Sequence, residues 1–289
     1  MTVEEVSQFS AAYLLWLAIL LVPVILAIWV LRRHVIAKLH PIPAAAKWPV
    51  WASISGGAAL AVAALALAIL PGWILGGYSK GAGYQAYEYG MQGGVESHMQ
   101  LWRLFAVQSL AEELLFRGIG MTLLAMLILW LTWLTLGLLK RRREAPAQAA
   151  SQRLCIWFWS GLSANLVVAA AFGTVHMYNP NATWAGTVNV ALAGLVLGQV
   201  FWLQANIFGA WSLHFIWNAG LATLGLPVSG IAFAPPVLGV GASGAREGLL
   251  SGGAFGPEGS LPCSIALLFI WGVLLKACWK TATAKQPDA

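Results

Sequence analysis

Residues 154–178 read LCIWFWSGLSANLVVAAAFGTVHMY, and no Asp, Glu, Lys or Arg appears again until Arg246. A helix rises 1.5 Å per residue, so these 25 residues are long enough to cross about 30 Å of hydrocarbon. The stretch from Leu154 to Ala245 carries no charge, so no water-soluble surface can be built from it. The same bias holds across the whole chain. Of 289 residues, 60% are hydrophobic and 9% charged, and the mean hydropathy is +0.76. A soluble domain carries about 25% charged residues.

Apolar runs occupy residues 10–31, 49–75, 101–139, 154–176, 184–204, 207–224 and 261–279. The runs are continuous, without the alternation of a membrane β-barrel. The third is too long for one simple crossing. It either crosses twice, with a break at Gly118–Gly120, or forms one long helix that projects into water. The expected fold is all-α: a polytopic transmembrane helical bundle of seven to eight spans, with the site in a central membrane cavity. Residues 1–100 hold the N-terminal spans and a Gly/Tyr-rich loop, 101–225 a core, and 226–289 a Gly/Pro-rich loop and the last span. Residues 141–153 read as a solvated loop. Residues 227–260 read either as a lid or entrance or as a flexible connector. The first run follows Glu4 and Glu5, not a basic segment, and is longer than a signal-peptide core, so it reads as a retained span.

The net charge of +6 does not point to nucleic acid. The basic residues cluster beside the apolar runs, at Arg32, Arg33 and Lys38, at Lys140 to Arg143, and at Lys276, Lys280 and Lys285. That is how anchoring charges sit near a membrane surface. The bilayer is the expected partner, and the expected location is the plasma membrane as a multi-pass protein. Cys155, Cys263 and Cys278 have no CxxC spacing and read as small packing residues.

An ionisable residue inside an apolar run is expensive, and so reads as functional by default. Among the acidic residues only Glu112 and Glu113 lie in such a run. Glu113 and Arg117 are i, i+4 neighbours and pair on a helix. Glu112 points elsewhere, without a local partner. A carboxyl so placed suits a general base. The other reading is a buried ion pair with a spare glutamate, serving stability alone. His176 closes a run just before Asn179-Pro180-Asn181, with Phe172 one turn earlier to pack under its ring. His214 and Asn218 are again i, i+4, and read equally as a polar clamp between helices. His34, His40 and His98 fall in loops. The group outweighs its members: an acid, two imidazoles and an amide from three separate runs can meet in one cavity.

These residues resemble the CPBP intramembrane proteases, which include type II CAAX prenyl endopeptidases, the Abi group of bacteriocin-processing and immunity proteins, and lysostaphin-resistance-like proteins. The family pattern is Glu-Glu-x-x-x-Arg, Phe-x-x-x-His and His-x-x-x-Asn. It appears here in order at Glu112 to Arg117, Phe172 to His176 and His214 to Asn218. The resemblance covers about 108–224, and the long stretch from Gly118 to Arg153 departs from it.

What the resemblance implies is proteolysis of a peptide or membrane-anchored protein. Glu112 and His176 would activate a water, and His214 and Asn218 would hold the oxyanion. Glu113 and Arg117 would orient Glu112. No cofactor is expected. The alternative is a catalytic zinc held by Glu112, His176 and His214. Against it, the chain has no His-Glu-x-x-His. An aspartyl mechanism is excluded because the one aspartate is Asp288. Ser243, in Gly241-Ala-Ser-Gly, has no histidine after it in a later run. The rival functions are a non-catalytic immunity or partner-binding protein of the same fold, and a transporter that carries protons on Glu112.

Overall fold

The computed structural model describes residues 48–80, 98–139, 146–231, 233, 240–242 and 247–283. The first apolar run, 10–31, and the histidines His34 and His40 lie outside them. In chain order the elements are α1 (Val50–Ile74), β1 (Tyr78–Lys80), α2 (His98–Glu113), a π-helical segment (Leu114–Met121), α3 (Thr122–Leu139), α4 (Pro146–Val175), α5 (Trp184–Gln204), α6 (Phe208–Thr223), β2 (Val240–Ala242), α7 (Glu247–Leu250) and α8 (Leu261–Thr283). The strands are three residues each and pair antiparallel, Tyr78 opposite Ala242. Among the described residues everything else of length is helix, as the uninterrupted apolar runs require.

The third run is one helix. Gly118 and Gly120 do not break it, because the chain passes through them in a π-helical turn and continues as α3. The double crossing is therefore set aside. The apolar part spans Met99–Thr135, 37 residues, or about 55 Å at 1.5 Å per residue. That is well beyond one bilayer core. Two loop assignments also change: His98 lies in α2, and residues 146–153 belong to α4.

Five described helices are long and apolar enough to cross a membrane: Val50–Ile74, Met99–Thr135, Leu154–Tyr178, Trp184–Gln204 and Leu261–Thr283. Helix α6 has 16 residues, about 24 Å, short of a full crossing. Its burial explains how it persists. Ten of its residues are buried, so it is held by packing rather than by lipid.

Helix α6 packs on α1 and α2, α4 on α5, and α8 on α5 and α1. In lipid no hydrophobic drive brings helices together, so close packing and interhelical hydrogen bonds do the work. At Gly57 of α1 an added Cβ would lie 2.2 Å from the carbonyl of Gly209 on α6, and Ser212 Oγ donates to the Ile54 carbonyl at 2.9 Å. At Gly198 of α5 an added Cβ would lie 2.0 Å from Asn165 Oδ1 on α4, whose amide donates to Leu195 O at 2.9 Å. Helix α2 is sutured to α6 by Trp102 Nε1 on Thr223 Oγ1 at 3.0 Å and by Trp211 Nε1 on Ala106 O at 2.8 Å. The outer helices leave large apolar side chains exposed, among them Trp51, Val62, Leu127, Trp133 and Phe269. That is a surface fit for lipid tails. The apolar helices with this outer surface make the protein a membrane protein.

Candidate active site

The three sequence motifs sit on α2 and its π-helical extension, on α4, and on α6. The suture between α2 and α6 puts the Glu-Glu pair beside His214. Glu113 is fully buried, and its Oε1 accepts from Arg117 Nη1 at 2.8 Å and from His214 Nδ1 at 2.9 Å. Arg117 is fully buried too, and its Nη2 donates to Gly194 O of α5 at 3.1 Å. Its guanidinium lies 4.5 Å from the centre of the Phe172 ring. A buried charge needs such company, since each ion leaves water at a cost of several kcal/mol. The expected Glu113–Arg117 pair is present.

Glu112 is different. Its side chain is 24% exposed, and Oε2 lies 3.8 Å from His214 Nε2. Oε1 accepts from Gln108 Nε2 at 3.1 Å, while Oε2 is buried without a hydrogen-bond partner. The expectation that Glu112 lacks a local partner is thus corrected by Gln108, one turn earlier on α2. The i, i+4 spacing could have revealed it. One oxygen stays unpaired beside His214.

Phe172 is the hub. Its ring centre is 4.6 Å from that of His176, 5.9 Å from that of His214 and 5.0 Å from that of Phe116. The expected packing of Phe172 under His176 is there, and it extends to the second imidazole. Helix α4 ends in a 3₁₀ turn at His176–Tyr178 because Asn179 is extended, as a residue before proline must be. His176 Nδ1 then lies 2.7 Å from the carbonyl of Phe172. A carbonyl only accepts, so Nδ1 carries the proton and a neutral His176 has its lone pair on Nε2. By the same reasoning His214 donates Nδ1–H to Glu113 and turns Nε2 toward Glu112.

His176, His214 and Asn218 line one cavity between α1, α4, α5, α6 and α8, part of it open to the outside. Phe172, Leu197, Leu213 and Ile270 make most of its wall apolar. Among the described residues no hydrogen bond engages the Asn218 amide. Glu112 adjoins the cavity through His214 rather than lining it. Three polar or aromatic residues that sequence reading did not single out also line it: Trp217, Ser229 and Glu258. Trp217 was within reach, lying between His214 and Asn218. Ser229 and Glu258 gave no local signal.

For a zinc ion the fit is poor. Among the described residues no three His, Cys, Asp or Glu side chains are gathered as a metal needs. Of the three expected ligands, Glu112 and His214 face each other, with Oε2 3.8 Å from Nε2, but His176 is not gathered with them into a ligand set.

Residues 95–220 match the family model of the type II CAAX prenyl endopeptidases, Rce1-like. The matched segment contains all three motifs and leaves α1, β1 and everything after α6 outside. No curated protein and no solved structure matches the chain.

Proposed function

We infer, from the match of residues 95–220 to the Rce1-like model that supports the CPBP family, that the protein is an intramembrane endopeptidase of the CAAX-protease type. The observation that carries this reading is the convergence of His176, His214 and Asn218 on one apolar-walled cavity, with Glu112 3.8 Å from His214.

The chemistry is hydrolysis of a peptide bond by an activated water. Glu112, whose unpaired Oε2 faces His214 at the edge of the cavity, and His176, with its lone pair on Nε2, are the two groups assigned to take the water's proton. The hydroxide oxygen bonds to the peptide carbon, and the carbonyl oxygen becomes an oxyanion. Asn218 Nδ2–H is free to donate to it. A protonated His214 has a second N–H, at Nε2, that does the same while Nδ1–H stays on Glu113. Fixed donors in a dry site stabilise such charge strongly. The C–N bond then breaks, the leaving amine takes the proton held by Glu112 or His176, and a new carboxylic acid is left, which gives up its remaining proton to water. Glu113 and Arg117 do not touch the reacting atoms. They hold His214 in its tautomer and keep the buried charges balanced. No step is routed through a metal, since the donors do not gather for one.

The proposed substrate is a peptide or protein held at the membrane, which the apolar cavity wall suits. A prenylated CAAX peptide is the first substrate to try. Purified protein should cleave a farnesylated CAAX peptide, and Asn218→Ala should slow cleavage about 10²–10³-fold, as loss of one oxyanion donor does. Full activity in Asn218→Ala would remove the oxyanion assignment.

A further inference from the structure

One carboxylate lines the cavity from outside the matched segment. Glu258 lies on the 3₁₀ turn Pro257–Gly259 and is 7% exposed. Both of its oxygens are engaged. Trp217 Nε1 donates to Oε1 at 3.0 Å, Ser229 Oγ donates to Oε2 at 2.9 Å, and the Ser229 backbone N–H donates to the same Oε2. The turn is fixed from α5, where Asn189 Nδ2 donates to the carbonyls of Glu258 at 2.7 Å and Ser260 at 2.9 Å. The Ser229 turn is in turn tied to the segment just after His176. Asn179 Nδ2 donates to Ser229 O and Asn181 Nδ2 to Gly230 O, both at 3.0 Å. A chain of hydrogen bonds therefore runs from the residues that follow His176, through Ser229 and Glu258, to Trp217.

Trp217 is the informative end of that chain. Residues three and four apart share a helix face, so His214, Trp217 and Asn218 point the same way from α6. A tether on the Trp217 ring fixes the rotation of α6 about its axis, and with it the direction of the other two side chains.

We propose that Glu258 is a positioning residue of the active site: its carboxylate clamps Trp217 and the Ser229 turn so that His214 and Asn218 on α6 and His176 at the end of α4 face the cavity in one fixed geometry. The proposal rests on the protease reading for its catalytic consequence, not for the clamp itself. It also makes the C-terminal segment part of the working site, although the family match ends before it.

The test uses the full-length protein in detergent and a farnesylated CAAX peptide as probe. Glu258→Gln keeps the size of the side chain but puts an amide NH₂ where one acceptor oxygen was. Trp217→Phe keeps a ring and removes its donor. With rates referred to folded protein, each variant should lower kcat about tenfold or more with KM within about twofold, because the donors are misaimed while the apolar wall still binds. The double variant should be no worse than the worse single one, since both break one clamp. Hydrogen exchange read by mass spectrometry is the second arm. In Glu258→Gln the amides of 228–231 and 214–218 should exchange about tenfold faster than in the wild type.

Unchanged kcat in both variants, or a defect confined to the yield of folded protein, overturns the proposal. If the wild-type protein leaves the peptide uncut, the substrate reading fails on its own, and exchange alone decides the clamp: faster exchange at both segments supports it, and unchanged exchange overturns it.

Discussion

Two adjacent glutamates do different work here because their surroundings differ. Glu113 is fully buried between Arg117 and His214, and Glu112 has one oxygen on Gln108 and one open. Replacing Glu113 by Gln leaves the Arg117 charge uncompensated in a dry interior. Breaking a buried pair in this way costs about 3–5 kcal/mol, so Glu113→Gln should lower the melting temperature in detergent markedly. Glu112→Gln removes no ion-pair partner from Arg117 and should melt near the wild type. Equal melting temperatures for the two variants would mean that the charges are shared differently. Phe172 gives a second case at this scale. Phe172→Leu removes the ring that Arg117, His176 and His214 all touch. A cation–π contact of this kind is worth about 2 kcal/mol when desolvated. That variant should lose both stability and cleavage rate, read by melting and by peptide turnover. The pairing of Glu113 with Arg117 was readable because helical spacing dictates it. The sharing of Glu113 with His214 was not, since those residues are 101 positions apart and only the docking of α2 on α6 brings them together.

At the scale of elements, helix contact through glycine is the testable feature. The α4–α5 and α1–α6 interfaces depend on Gly198 and Gly57, where a methyl group would meet a neighbouring atom at 2.0–2.2 Å. Overpacking of this kind costs about 1–3 kcal/mol. Gly198→Ala should therefore lower the melting temperature, while Gly272→Ala on α8, where nothing lies within 4 Å, should leave it level or slightly raised. If both changes acted alike, backbone flexibility rather than close packing would be the cause. Apolar run length placed the elements well: runs 49–75, 154–176, 184–204 and 261–279 each coincide with a helix. Hydropathy failed where it has no resolving power. It could not separate one long helix from two spans at 101–139, because glycine lowers helix propensity without forbidding a π-helical turn. Nor could it show that α6 is short and enclosed.

Taken as a whole, the molecule brings two motif helices, α4 and α6, to one cavity, sets the third motif beside it through His214, and completes it with a C-terminal segment that no motif announces. Glu258 reaches Trp217 across 41 positions and Ser229 across 29. Such contacts leave no periodic trace in a chain, whereas i, i+4 motifs do. Metal dependence belongs to this scale as well, since it concerns ligands from separate helices. Activity of the purified protein should survive prolonged treatment with a chelator. Loss of activity, restored by zinc, would contradict the route drawn from the donor arrangement. The central claim, that Glu112 beside this cavity drives peptide hydrolysis, is tested most directly by comparing peptides released from membranes that contain the wild-type protein with those from membranes that contain equal amounts of folded Glu112→Gln. The account predicts a set of cleavage products present with the wild type and missing with the variant. The same products at the same level in both would contradict it.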